Sequence, residues 1–361
     1  MGNQWLLSRT FDLLFIISPS FFAVIFVLCF SNQLTNLTEI PTWGWVVLIL
    51  GIDVSHVYSS LFRTYFHKKE FFKNKTLFTL VPSISFIFGI LIYSFNALYF
   101  WRLLAYLAVF HFIRQQYGFM RLYSRKESLS PWSRGIDSLL IYMTMVFPIA
   151  YWHTHLPRNF QWFIYGDFIR GIPQILTSLL LFFYCFCILI YIIKEIFHTI
   201  KTLSFNLPKN LIILGTALSW YVGIVFTNDD LSFTITNVIT HGIPYIALVW
   251  LFGFRESHKE EKLIAFANID YKYFFSRQTI PLFFFLLLLL AYLEEGLWAG
   301  IVWRERLEFF NLFAWLPEIQ NHDTLSLIVP LLTLPQLTHY ILDGFIWKIT
   351  DCEQSRNSLL G

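Results

Sequence analysis

FDLLFIISPSFFAVIFVLCFS, residues Phe11–Ser31, is an apolar run whose one charge, Asp12, stands at its start. In a helix rising about 1.5 Å per residue, about twenty such residues cross a hydrocarbon core of about 30 Å. Nine more runs follow, near Thr42–Phe62, Leu77–Ser94, Ala97–Met120, Ile136–Trp152, Ile172–Ile193, Leu211–Phe226, Phe233–Phe254, Ile280–Trp303 and Leu325–Trp347. Only Asn96 and its neighbours part the third run from the fourth. The runs are continuous, without the alternation of a barrel strand, so they predict helices. The fold class expected is an all-α, polytopic transmembrane helix bundle of about ten spans.

Composition agrees. Of 361 residues, 56% are apolar and 14% charged, too few charges to cover a water-facing surface, which needs roughly a quarter. Residues 1–361 read as a single integral membrane domain, without a soluble domain, internal repeat or low-complexity stretch. The net charge of +3 is small and the basic residues flank the runs, which disfavours nucleic acid as a partner. Cys29, Cys185, Cys187 and Cys352 form no CxxC pair and read as buried small hydrophobes. The first run is too long for a cleavable signal and predicts a retained span.

The basic residues orient the bundle. With the N-terminus inside, twenty Lys and Arg fall in inner segments and four, Arg158, Arg170, Arg304 and Arg306, in outer ones. That asymmetry predicts cytoplasmic N- and C-termini. Arg102 and Arg114 fall inside spans. The location expected is a bacterial inner (plasma) membrane, with membrane lipids as partners.

Ionisable groups at membrane depth are costly and mark function. Four runs carry a histidine with a polar residue three or four places away: Asp53/His56, His111/Gln115, Asn237/His241 and His339/Asp343. Those spacings put both members on one helix face. A metal-bound imidazole usually gives its other N–H to a carboxylate or carbonyl, so the adjacent acids suit a metal site, either as orienting groups or as ligands. Counted from the inner flanking charges, His56 lies about 10 Å deep, His339 about 13 Å, His111 about 15 Å and His241 about 20 Å. The candidate ligands are therefore His56, His111, His241, His339, Asp53 and Asp343, with iron as the cofactor and haem as a minor alternative. Arg114, Gln115 and Tyr117 are candidate catalytic residues at the inner mouth, where Arg114 either snorkels or anchors an anionic head group or oxygenated substrate. Glu294 and Glu295 form a separate acidic pair, and His67, His153, His155, His198, His258 and His322 read as surface residues.

The HxxxH and HxxHH boxes of membrane desaturases do not occur. Single histidines on separate spans resemble instead the design of the Brp/Blh β-carotene cleavage enzymes. That resemblance implies iron held by His56, His111, His241 and His339. The function expected is a metal-dependent, non-haem iron oxidoreductase acting on a lipid-soluble substrate. The rival expectation is a transporter or proton-coupled channel using the same groups as a relay.

Overall fold

A computed structural model describes residues 4–37, 39–259 and 270–347. Cys352 and, of the basic residues counted above, Lys262, Lys348 and Arg356 lie outside them. The described residues contain helices and no strands. Nine helices among them are long and apolar enough to cross a membrane: α1 (Arg9–Leu34), α2 (Thr42–Arg63), α3 (Lys75–Phe95), α4 (Ala97–Ser124), α5 (Pro131–Thr154), α6 (Gln174–Thr202), α7 (Leu207–Phe226), α8 (Asp230–His258) and α9 (Arg277–Trp303). The tenth predicted span is broken, because α10 (His322–Leu332) and α11 (Leu334–Ile346) meet at 43°. Pro330 and Pro335 stand on either side of that break, and a proline removes a backbone donor and crowds the preceding turn. Asn96 is enough to part α3 from α4: its backbone is extended and its side chain accepts from the Tyr99 amide at 3.2 Å, as an N-cap does. The chain is thus an all-α, multi-helix protein of membrane-spanning character.

The helices sort into two compact units, one of residues to Ile40 with Phe112–Pro244, the other of Pro41–His111 with Tyr245 onward.

In the first unit α5 packs along α6, and α7 packs on both α5 and α1. Gly215 permits the α7–α1 approach, since a Cβ there would lie 2.2 Å from Ser20 Oγ. Five charges, of which Asp137, Glu195 and Lys209 are buried and Lys194 and Glu127 half-buried, join α5, α6, α7 and the segment before α5. Lys209 Nζ lies 2.7 Å from Glu195, 3.1 Å from Glu127 and 3.6 Å from Asp137, while Lys194 pairs with Asp137 and Glu195. Lys194 and Lys209 look in sequence like flanking interfacial cations. The fold instead draws them inward onto acids from three segments. Beyond α5, Arg158 donates to the carbonyls of Ile224 (2.8 Å) and Thr227 (2.5 Å). The loop's Asp167 accepts from the amides of Phe163 and Ile164, and burial raises its carboxyl above the ordinary range.

In the second unit α3 packs on α10 and α11, and α9 packs on α2. Phe62, Tyr245, Val249, Tyr271, Phe275, Phe283 and Leu287 form a buried aromatic and aliphatic core. Gly296 of α9 receives the ring of Phe313, since a Cβ there would meet its Cε2 at 2.2 Å. Gly296→Ala is therefore expected to cost about 1–3 kcal/mol through overpacking. Unfolding titrations in detergent check this, and an unchanged midpoint contradicts it.

Two histidines read as surface residues are buried. His67 caps the helix Lys68–Lys73, whose Glu70 amide its Nδ1 accepts at 3.2 Å. His153 packs its ring on Phe168, with Nδ1 2.7 Å from the Ile149 carbonyl. In each ring Nδ1 bonds to a backbone group near a helix end. Cys187 is buried, whereas Cys29 and Cys185 lie on exposed helix faces.

Candidate metal centre

The second unit gathers three of the predicted histidines. His56 on α2, His111 on α4 and His339 on α11 are 1%, 2% and 2% exposed, so all three imidazoles are withdrawn from solvent. One ring nitrogen of each lies within 4.8 Å of the other two. The Nε2 atoms of His111 and His339 are 3.1 Å apart. The ring centroids of His56 lie 5.0 Å from His339 and 6.4 Å from His111.

Local chain geometry explains the convergence. α2 carries a π-helical stretch, Val46–Val54, that ends one residue before the α-helical turn Ser55–Ser59. Ser55 Oγ donates to the Leu50 carbonyl five residues back, at 2.8 Å, which holds the wider turn. His56 then sits on the buried side, with Asp53 Oδ1 3.5 Å from its Nδ1. His339 follows the α10–α11 break and packs edge-on to Tyr245, with ring centroids 5.0 Å apart. The Tyr340 ring stacks on His111 at 5.1 Å.

One predicted pairing is corrected here. Asp343 lies four residues after His339 on α11, yet its Oδ2 is 3.5 Å from Nδ1 of His111. His111 therefore faces a carboxylate on one side of its ring and His339 on the other. Asp343 is 8% exposed and Asp53 26%, so Asp53 is the more accessible of the two acids.

These donors fit a metal ion. Two neutral imidazoles face to face at 3.1 Å need either one shared proton or one shared cation. With metal–nitrogen bonds of about 2.0–2.1 Å, adjacent ligand nitrogens lie from about 2.8 Å apart in octahedral sites to about 3.4 Å in tetrahedral ones. The observed spacing falls in that range. A carboxylate behind an imidazole fixes its tautomer and orientation and raises its basicity.

Two further groups border these spans. The Tyr58 hydroxyl donates to Glu294 Oε2 at 2.5 Å, which ties α2 to α9. The Arg63 guanidinium lies 4.1 Å over Phe252, donates to the Ile346 carbonyl at 3.1 Å and meets Glu70 at 3.5 Å.

The other predicted site residues belong to the first unit. His241 is fully buried, with its ring stacked 3.6 Å from Phe112. Gln115 donates to the His241 carbonyl at 2.9 Å, and Gln116 donates to the Thr240 carbonyl at 3.3 Å. Pro244 explains the second bond: it has no N–H to offer the Thr240 carbonyl four residues back. Asn237, paired with His241 in the sequence reading, donates instead to the Phe233 carbonyl at 3.0 Å. Gln116→Leu is expected to cost about 1–3 kcal/mol by stranding a buried carbonyl. The cost should shrink in a Pro244→Ala background, and an equal cost in both backgrounds contradicts the assignment. Arg114 is exposed; its Nη1 donates to Tyr142 at 2.6 Å and its guanidinium lies 5.0 Å from the Tyr117 ring.

Comparison with family models, curated proteins and solved structures finds no match. The functional reading therefore rests on the geometry of the site.

Proposed function

We propose that this protein is a metal-dependent membrane enzyme, a non-haem iron oxidoreductase acting on a lipid-soluble substrate. The observation that carries the reading is the convergence of His56, His111 and His339, buried and from three separate spans, with ligand nitrogens within 4.8 Å of one another. Imidazole and carboxylate donors together suit iron, which when bound supplies redox chemistry that no side chain of the site provides. His56, His111 and His339 hold the ion in this reading. Asp53 and Asp343 orient His56 and His111 or complete the ligand set. A site enclosed among spans excludes bulk water and favours an apolar substrate. The sequence reading adds His241 as a further ligand, and loss of metal in His241→Ala is its test. The bias of basic residues supports cytoplasmic termini, and we place the protein in a bacterial inner membrane.

Elemental analysis with an optical spectrum of the full chain, purified in mild detergent, tests the proposal. Near-stoichiometric iron without a Soret band is expected. A Soret band moves the assignment to haem. Folded protein that takes up no metal sinks the enzyme reading and leaves the same groups as a proton or ion relay.

A further inference from the structure

Arg114 and Arg121 stand seven residues apart on α4, hence on one face and about 10 Å apart along the axis. Arg114 is ten residues before the end of α4, about 15 Å into a helix of membrane-spanning length. It is nonetheless exposed, on the outside of the first unit. An arginine there desolvates its charge unless an anion meets it.

Among the described residues no acid does so. Among the described residues neither Arg114 nor Arg121 has an ion pair. The neighbouring acids Glu127, Asp137 and Glu195 are taken by Lys194 and Lys209. Arg114 is also pinned in place. Tyr142 of α5 accepts one of its N–H groups at 2.6 Å, and the Tyr117 ring, stacked on Tyr142 at 5.3 Å, lies beneath the guanidinium. A guanidinium has five N–H donors, so most of the fork still faces outward.

Between the two arginines the surface is notched. Gly118 lies four residues after Arg114 and three before Arg121, and a Cβ built there meets nothing within 4 Å. Glycine is a poor choice for a helix interior unless something must come close to the backbone. On the same face of α5 as Tyr142, Leu139 three residues before it and Val146 four residues after it are exposed and offer an apolar surface.

We propose that Arg114, Gly118 and Arg121 of α4, with Tyr142 of α5, bind the phosphate-type anionic head group of one membrane amphiphile, its tail lying on the apolar face of α5. The fork of Arg114 supplies bidentate donors to phosphate oxygens, which a lysine does not match. Arg121 supplies the second charge from the interfacial end of the notch. The site is independent of the histidine cluster and of any metal.

Native mass spectrometry of the full chain in mild detergent, titrated with phosphatidylglycerol, tests it. Wild type should retain one lipid, and Arg114→Gln with Arg121→Gln should bind it about tenfold more weakly or worse. Arg114→Lys with Arg121→Lys keeps the charges and guards against misfolding; it should bind at an intermediate strength. Inorganic phosphate separates the two sources of the anion. Displacement of the lipid by phosphate shows that the head-group anion suffices, and lipid binding that resists phosphate shows that the tail contributes. Equal retention by wild type and the Gln double variant overturns the site, as does retention of no lipid by a folded wild type that also binds no phosphate.

Discussion

His56→Ala and His339→Ala are each expected to strip the purified protein of its metal while leaving it folded. The two residues come from α2 and α11, so loss in both variants cannot arise from damage to one helix. Each removes one of three imidazoles whose nitrogens lie within 4.8 Å of one another, those of His111 and His339 at 3.1 Å. Metal content by elemental analysis, beside a helical circular dichroism spectrum, is the readout. Asp343→Asn should be milder, weakening metal binding about 10- to 100-fold, because it removes the carboxylate behind His111 and not a ligand nitrogen. Wild-type metal content in both alanine variants contradicts the assignment.

The second large effect belongs to the first unit. Lys209 is 0% exposed and touches Glu127, Glu195 and Asp137. Its replacement by methionine removes that ammonium from all three acids and leaves Lys194 paired with Asp137 and Glu195. Removing one partner of a buried ion pair typically costs about 3–5 kcal/mol, and Lys209→Met is expected to fall in that range. Adding Glu195→Gln should recover part of the loss by removing the charge left behind. Unfolding titrations of the two variants in detergent read this directly. A single variant within 1 kcal/mol of wild type, by the scale used for exposed pairs, shows that the cluster is only a solvated surface patch.

Much of the architecture is legible in the amino-acid order because membrane spans depend on a property that hydropathy measures. Asn96 parts α3 from α4 in the structure as it does in sequence. The bend between α10 and α11 is hidden for the same reason: Leu325–Trp347 is apolar enough to read as one span, and a proline changes direction without changing hydropathy. The site was legible in part. Asp53 and His56 are local neighbours on one helix, so spacing finds them. Asp343 also has a local neighbour in His339, but the fold gives it to His111 on another helix, and no local spacing carries that choice. Gln115 illustrates the same limit. Its amide donates to the His241 carbonyl on another helix, a contact that no local spacing carries. The five-charge cluster is not legible in sequence because its members stand toward helix ends, where charge is ordinary, and only tertiary packing buries Lys209, Glu195 and Asp137.

X-ray absorption at the iron edge of the purified full-length protein tests the central claim most directly. The account predicts one iron per chain with the multiple-scattering signature of several imidazoles at about 2.0–2.1 Å, diminished in His56→Ala and in His339→Ala. A well-folded protein that shows no imidazole scattering after incubation with iron contradicts it.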